Sequence, residues 1–301
     1  MDKKSKIILI SGPTASGKSS FAVRLAQNIN GEIINADSMQ IYKQLKILTA
    51  RPSKKDQKNI KHHLYGTVDV KKIFSTGHWL KYAIKKIYEI RKRKKTPILV
   101  GGTGLYFNSL VNGLVKIPNI PIKFRKKIRL MQKKHGQKKF YEKLLKIDPK
   151  VKGKINSNDT QRSIRAYEIK SYSKKSMYDW LAQTKSNFKQ NEFLKLYINF
   201  ERKELIKRIE KRTIKMIKLG AVKEVKKFKT LKIPDQSSVN KVIGIKELSK
   251  FLEKKIKIDE AKELIAIKTR QYAKRQATWA RSKMTTWNRI DPKDLQLWIK
   301  N

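Results

Sequence analysis

Four aliphatic residues in a row, Ile7-Ile8-Leu9-Ile10, open the patterned part of the chain. So short a run, with no polar alternation, predicts a strand buried on both faces. Ser20-Phe21-Ala22-Val23-Arg24-Leu25-Ala26 then reads as helix, and Glu32-Ile33-Ile34-Asn35-Ala36 as a second strand. From His78 to Lys94, Leu80, Ala83, Ile84, Ile87 and Ile90 recur at helical spacing, ahead of a third buried strand at Thr96-Pro97-Ile98-Leu99-Val100. Strand alternating with helix predicts an α/β fold on a parallel sheet. The pattern changes near Ile117-Pro118-Asn119-Ile120-Pro121 and stays basic and helical to about Gln190. Phe193-Leu194-Lys195-Leu196-Tyr197-Ile198 reads as a return to the sheet, and helices dominate again from Arg202. The expected architecture is a discontinuous parallel-sheet core (residues 1–116 and 191–301) carrying a mostly helical insertion (117–190). No internal repeat or low-complexity linker interrupts it.

Open sheets of this kind bind ligands at the carboxyl ends of their strands. The first strand runs into Gly12-Pro13-Thr14-Ala15-Ser16-Gly17-Lys18-Ser19, which fits G-x-x-x-x-G-K-[ST], the phosphate-binding loop. Its backbone N–H groups point inward, and the following helix N-terminus adds partial positive charge. Lys18 can reach a terminal phosphate, and the Ser19 hydroxyl can hold Mg²⁺. The second strand ends at Asp37-Ser38. Asp37 can hold Mg²⁺ through water or act as a general base; equally, it can cap a helix beginning Ser38-Met39-Gln40-Ile41-Tyr42. The two roles are compatible. The third strand ends in Gly101-Gly102-Thr103-Gly104, without the carboxylate that usually organises Mg²⁺ and water in a nucleotide hydrolase. That favours a reaction in which phosphate is bound and water is not activated.

A chain of 301 residues has room for a large core and more than one domain. Its 74 Lys and Arg against 24 Asp and Glu leave a net charge of +50. A polyanionic partner such as nucleic acid would account for this, and so would general Lys enrichment of the genome. With no cysteine, disulfides, thiolate nucleophiles and Cys-ligated zinc are excluded. No segment reaches the roughly 18–20 apolar residues of a membrane span. Met1-Asp2-Lys3-Lys4-Ser5-Lys6 superficially resembles the start of a signal peptide, but the apolar part after it is too short. A cytoplasmic monomer with no membrane partner is the expectation.

Three basic clusters stand out. Asn158-Asp159-Thr160-Gln161-Arg162-Ser163-Ile164-Arg165 begins a helix with an Asp cap and sets Gln161 and Arg165 one turn apart. Arg208 and Arg212 are spaced i, i+4. The segment from Arg270 to Trp279 interleaves basic, amide and aromatic residues, a pattern suited to phosphate pairing and base stacking. Each cluster alone also fits a solvated helix face. His62-His63 reads as a structural pair at a turn with no acidic partner nearby.

Together these segments resemble the bacterial tRNA dimethylallyltransferases (tRNA isopentenyltransferases). The resemblance rests on Gly12–Ser19, Asp37-Ser38-Met39-Gln40-Ile41-Tyr42, His62-His63-Leu64 and Gly101-Gly102-Thr103-Gly104-Leu105-Tyr106-Phe107. It continues through Asn158-Asp159, Gln161-Arg162, Arg165-Ala166, Ala273-Lys274-Arg275-Gln276 and Thr278-Trp279, collinear from residue 7 to about 281. It implies Mg²⁺-dependent transfer of a dimethylallyl group from dimethylallyl diphosphate to N6 of an adenosine beside a tRNA anticodon. It further implies that Asp37 is the general base, that Thr103 lies at the reaction site, and that Gly12–Ser19 and Arg212 hold the diphosphate. Contacts to the anticodon stem-loop would fall on Asp37, Ser38, Met39, Gln40, Thr103, Arg125, Gln161, Arg162, Ser163, Ile164 and Arg165.

The chain departs from the family pattern at Lys43, where Arg is common, at Tyr65-Gly66 after the His-His-Leu block, and at Ile245 in Gly244-Ile245-Lys246-Glu247. None of these touches Asp37, Thr103 or the loop. Three other readings compete: prenylation of free AMP or ADP, a nucleotide kinase or ATPase, and a non-catalytic RNA-binding protein. The helical insertion argues against a mononucleotide acceptor, which needs no such surface.

Overall fold

The computed structural model describes residues 6–300, so the N-terminal segment weighed as a leader lies, Lys6 apart, outside the described residues. In chain order the elements are β1 (Ile7–Ser11), α1 (Lys18–Asn28), β2 (Gly31–Asn35), α2 (Lys54–Gln57), β3 (His62–His63), α3 (Thr76–Lys92), β4 (Thr96–Gly101) and α4 (Gly104–Val111). Then come α5 (Ile122–Ile147), α6 (Thr160–Ser173), α7 (Met177–Ala182), β5 (Phe193–Ile198), α8 (Arg202–Lys218), α9 (Ala221–Thr230), α10 (Ile245–Leu252), α11 (Ile258–Lys283), β6 (Asn288–Ile290) and α12 (Leu295–Lys300). The chain forms two compact units: residues up to Val111 together with Phe188 onward, and Asn112–Asn187.

The first unit is an α/β fold on a six-stranded, all-parallel sheet ordered β3-β2-β4-β1-β5-β6. Side chains of a strand point alternately to opposite faces, and β1 shows why its run is wholly apolar. Ile7 and Leu9 enter one core layer with Trp79, Ile87 and Phe107, whereas Ile8 and Ile10 enter the other with Phe21, Leu25 and Leu196. Burying an Ile or Leu contributes about 1.5–3 kcal/mol. The four in β1 therefore rival the net stability of a whole domain, roughly 5–15 kcal/mol, and hold this strand near the centre of the sheet. β4 lies between β1 and β2, so the segments that follow β1, β2 and β4 leave neighbouring strand ends. Gly101 is required there, because a Cβ on it would stand 2.1 Å from the Ala36 carbonyl.

Two local expectations change. His62-His63 is a short parallel strand on β2 instead of a turn, and it does have an acidic partner: His63 Nε2 lies 2.7 Å from Glu32 Oε2. Glu32 also accepts from Arg93 Nη2 at 2.7 Å. Burial opposes its ionisation, but the hydrogen bonds of Arg93 and His63 win and hold its carboxyl down to about 2. The second change is at the far edge, where the expected run of helices is interrupted by β6, three residues paired to β5. So short a strand leaves no readable alternation.

The second unit is helical. Leu144, Val151, Ile155 and Ala166 form its small core, and α5 bends at Gly136, whose φ of 72° is a left-handed conformation suited to glycine.

Candidate active site

The loop after β1 is built as a cradle. Gly17 takes φ +84° as the cap of α1, and Ala15 takes φ +66°, rare for a residue with a Cβ. Ser16 N donates to Pro13 O at 3.3 Å, and the buried Ser16 hydroxyl has no hydrogen-bond partner. Lys18 lies back along the loop, its Nζ donating to Pro13 O at 3.1 Å. Burial pushes the Lys18 ammonium down to about 8, against the opposing pull of Asp37.

Across the cleft, Asp37 does not start a helix. The segment from Ser38 to Ile41 is a turn, with Asp37 Oδ1 accepting from Met39 N at 2.8 Å and Gln40 N at 3.3 Å. The expected helix is absent because Gln40 and Ile41 turn to pair with the loop at Gly66 and Val68. One oxygen of Asp37 thus caps the turn, while Oδ2 has no hydrogen-bond partner among the described residues, and Asp37 lines the cleft. Fully buried Asn35 fixes the turn: its Oδ1 accepts from Asp37 N at 2.8 Å, and its Nδ2 donates to Asp37 O and Leu64 O, each at 3.0 Å. Thr103 closes the third side, its Oγ1 accepting from Ser38 N at 2.9 Å and donating to Ser38 Oγ at 3.3 Å. Met39 lines the cavity, whereas the Gln40 amide donates to Thr49 O at 2.9 Å.

α8 supplies the cations. Arg212 Nη1 donates to Thr14 Oγ1 at 2.9 Å. Arg208 stacks on Phe200 at 4.4 Å and comes within 3.5 Å of where a Gly17 Cβ would stand. α11 closes the cleft with one face. Tyr272 lies near Asp37 and Thr103, and desolvation, then the Asp37 charge, push its phenol up. Gln276 bridges the phosphate loop and Gly102, and Trp279 lies against Gly104. A cavity of about 310 Å³ runs from Thr14, Asp37 and Arg212 into an apolar wall of Leu48, Met216 and Ile265. An anion at the Thr14–Arg212 end, beside the Asp37 carboxylate, with an apolar chain along the wall, describes what this cavity can take. That is the shape of a diphosphate ester with a short hydrocarbon tail.

A family model described as IPP transferase matches residues 40–283. The tRNA dimethylallyltransferase of Pelagibacter ubique is 68% identical over 300 residues, covering 100% of this chain and 96% of that protein. The enzyme of the same name from Rickettsia canadensis is 43% identical, covering 94% of this chain and 87% of its own. The chain belongs to the IPP transferase family. This IPP transferase is accordingly an enzyme, a transferase of tRNA modification. Among solved structures, a tRNA isopentenylpyrophosphate transferase from Bacillus halodurans matches with TM-score 0.70 at 32% identity, covering 98% of this chain and 95% of that one. A eukaryotic dimethylallyltransferase acting on tRNA matches with TM-score 0.84 at 30% identity, covering 97% of this chain and 75% of that one.

Of the residues singled out in the sequence, the fold gathers Gly12–Ser19, Asp37, Ser38, Met39, Thr103 and Arg212 of the transferase around one cleft. Gln40 stays in the first unit with its amide on Thr49 O, and Arg125, Gln161, Arg162, Ser163, Ile164 and Arg165 belong to the helical unit. There Arg125 Nε lies 3.3 Å and Arg165 Nη1 3.1 Å from one oxygen of the buried Glu168, with Arg129 Nε 3.8 Å from the other. Arg162 pairs with the helix cap Asp159 at 2.6 Å, and Gln161 is exposed. Ser163 is fully buried with its hydroxyl accepting from Gln137, so its side chain is closed off, and Ile164 is half-buried. Sequence reasoning missed Asn35, Arg208 as a neighbour of the loop, and Glu168. It took Gln276 for one of several RNA-suited residues. The i, i+4 pairing of Arg208 with Arg212 was the one available signal for the second of these.

A divalent cation is tested by the donors on hand. Among the described residues no group of three or more His, Cys, Asp or Glu could hold a metal. Ser19, which is exposed, and Asp37 offer oxygen only. Mg²⁺ keeps several waters and takes one or two protein oxygens beside substrate phosphates, so this sparse set fits Mg²⁺ carried with a diphosphate.

Proposed function

We propose that the protein transfers the dimethylallyl group from dimethylallyl diphosphate to N6 of the adenosine immediately 3′ of the anticodon, position 37, in tRNAs reading codons that begin with U. The products are N6-dimethylallyladenosine and diphosphate. One observation carries the reading: Asp37 lines the same cavity as Thr14 of the phosphate loop and Arg212, that cavity continues along an apolar wall, and the Thr103 hydroxyl packs on the turn that carries Asp37. The new bond joins N6 to the first carbon of the allyl group as the carbon–oxygen bond to diphosphate breaks. The amine proton passes to Asp37 Oδ2, a general base held in place because its other oxygen is engaged by the turn. Charge developing on the leaving diphosphate meets the loop N–H groups, Lys18 and Arg212, already in place before reaction. When bound at Ser19, Mg²⁺ would add a Lewis acid for that charge. The missing acid after β4 suits a site that must keep water from an allylic centre. An adenosine reaches this cleft only if its base leaves the stacked anticodon loop, and Arg125, Gln161, Arg162 and Arg165 supply donors for the RNA backbone.

The test is mass spectrometry of tRNA nucleosides after incubation with enzyme, Mg²⁺ and dimethylallyl diphosphate, with AMP as the alternative acceptor. Modified adenosine in tRNA alone supports the proposal. Modification of AMP alone, γ-phosphate transfer from ATP, or tRNA binding without product each supports one of the competing readings.

A further inference from the structure

α11 carries the segment Ala273-Lys274-Arg275-Gln276, whose amide looks in the sequence like one more group for RNA. The fold turns it inward. Lys274 and Arg275 are exposed, while Gln276 is buried and its amide is used at both ends. Oε1 accepts from Thr14 N at 2.8 Å, and Nε2 donates to Gly102 O at 3.0 Å. One side chain therefore ties the phosphate loop after β1 to the glycine loop after β4, the loop that carries Thr103.

Three further observations bear on this tie. Thr14 is held on two sides, its amide by Gln276 and its hydroxyl by Arg212. The next residue, Ala15, holds φ +66°, a conformation that persists only where its surroundings impose it. And Gly102 has no room for a side chain: a Cβ there would stand 2.0 Å from Gln276 Nε2. A solvated RNA-facing amide needs no such space.

We infer that Gln276 is a positioning residue for the diphosphate site. It sets the phosphate loop in its strained, ligand-ready form and fixes its distance from Thr103, and it does not contact RNA. The inference rests on the diphosphate reading of the cleft. A contact of this kind acts through geometry, and a shift of about 1 Å at a reacting centre can cost about a hundredfold in rate.

The experiment measures binding of inorganic diphosphate with Mg²⁺ by calorimetry, and binding of tRNA without donor, in the wild type, Gln276→Ala and Gly102→Ala. Wild-type protein that binds no diphosphate would remove the reading of the cleft itself. Given wild-type binding, both variants are expected to weaken diphosphate by about tenfold or more while tRNA affinity stays within about twofold, since no RNA contact is lost. In steady state the KM for dimethylallyl diphosphate should rise and that for tRNA should not. Gly102→Ala keeps the amide and only displaces it, so it decides the matter if Gln276→Ala fails to fold. Diphosphate binding unchanged in the folded variants, or tRNA binding weakened as much as diphosphate binding, overturns the inference.

Discussion

Two carboxylates in this protein sit among cations, and they are used in opposite ways. Asp37 faces Lys18 and Arg212 but gives one oxygen to a backbone turn and leaves the other free in an open cleft. Glu168 is buried at 1% exposure, and two arginines converge on one of its oxygens with a third beside the other. The ingredients match; the difference is where the charge stays available. At Asp37 one oxygen carries no hydrogen-bond partner among the described residues. At Glu168 the charge is absorbed, and what remains available is the outer N–H set of three guanidiniums around a net positive centre. A buried carboxylate of that kind is a template that holds arginines in a pattern able to grip phosphates bidentately.

The sharpest way to break this comparison is Asp37→Asn. The amide still accepts from Met39 and Gln40, so the turn survives while the proton acceptor is lost. Transfer to tRNA should fall by about 10²–10⁴ with tRNA binding retained, and a variant of near-normal rate would end the base assignment. Arg212→Lys comes next: it keeps the charge but loses the fork that donates to Thr14 and, on the proposed function, to the diphosphate. Its kcat is expected to drop by about 10²–10³, as for other preorganised donors aimed at developing charge; single-turnover rates check this.

Glu168→Gln tests the other half. The KM for tRNA should rise by roughly tenfold, about 1.4 kcal/mol for one weakened charge-assisted contact, with kcat at saturating tRNA little changed. A fall in kcat with unchanged KM would show that Glu168 is not a scaffold for RNA-facing arginines. Lys18 then sharpens the contrast by pH. Its folded value of about 8 means the ammonium is lost above that pH in the free enzyme, whereas a bound diphosphate favours the charged form. Diphosphate affinity should therefore weaken by up to about tenfold per pH unit above about 8, a slope absent in Lys18→Arg.

The smallest effect concerns Glu32, a third carboxylate, paired with Arg93 and His63 at the sheet edge. Its folded pKa is depressed to about 2, so its contribution to stability is whole above its ordinary value of 4.5 and is lost as pH falls toward 2. Thermal unfolding between these limits should be steeper in pH for the wild type than for Glu32→Gln.

Much of the cleft was legible because its chemistry is local. A glycine-rich loop with Lys-Ser behind a four-residue aliphatic run, Asp37 after a second strand, and Gly-Gly-Thr-Gly after another are contiguous patterns. Parallel strands place their ends together by topology. The residues that hold the cleft in shape were not legible, since nothing in their identity distinguishes them. Gln276 reaches Thr14 across 262 positions of chain. Asn35 looks like the ordinary end of a strand, and Glu168 like one acid among basic neighbours on an amphipathic helix.

By itself the sequence determined the parallel α/β class and the helical interruption, and it marked the candidate phosphate-binding and proton-accepting groups, because periodicity and short motifs are set by backbone geometry within a few residues. Only the tertiary structure decided that Asp37 caps a turn and keeps an oxygen free, that His63 pairs with Glu32, and that Ser163 points inward. It alone decided that the Gln276 amide faces the phosphate loop instead of solvent. Each of these depends on which distant backbone or side chain occupies the neighbouring space, and burial forces a polar group to take whatever partner the packing brings to it.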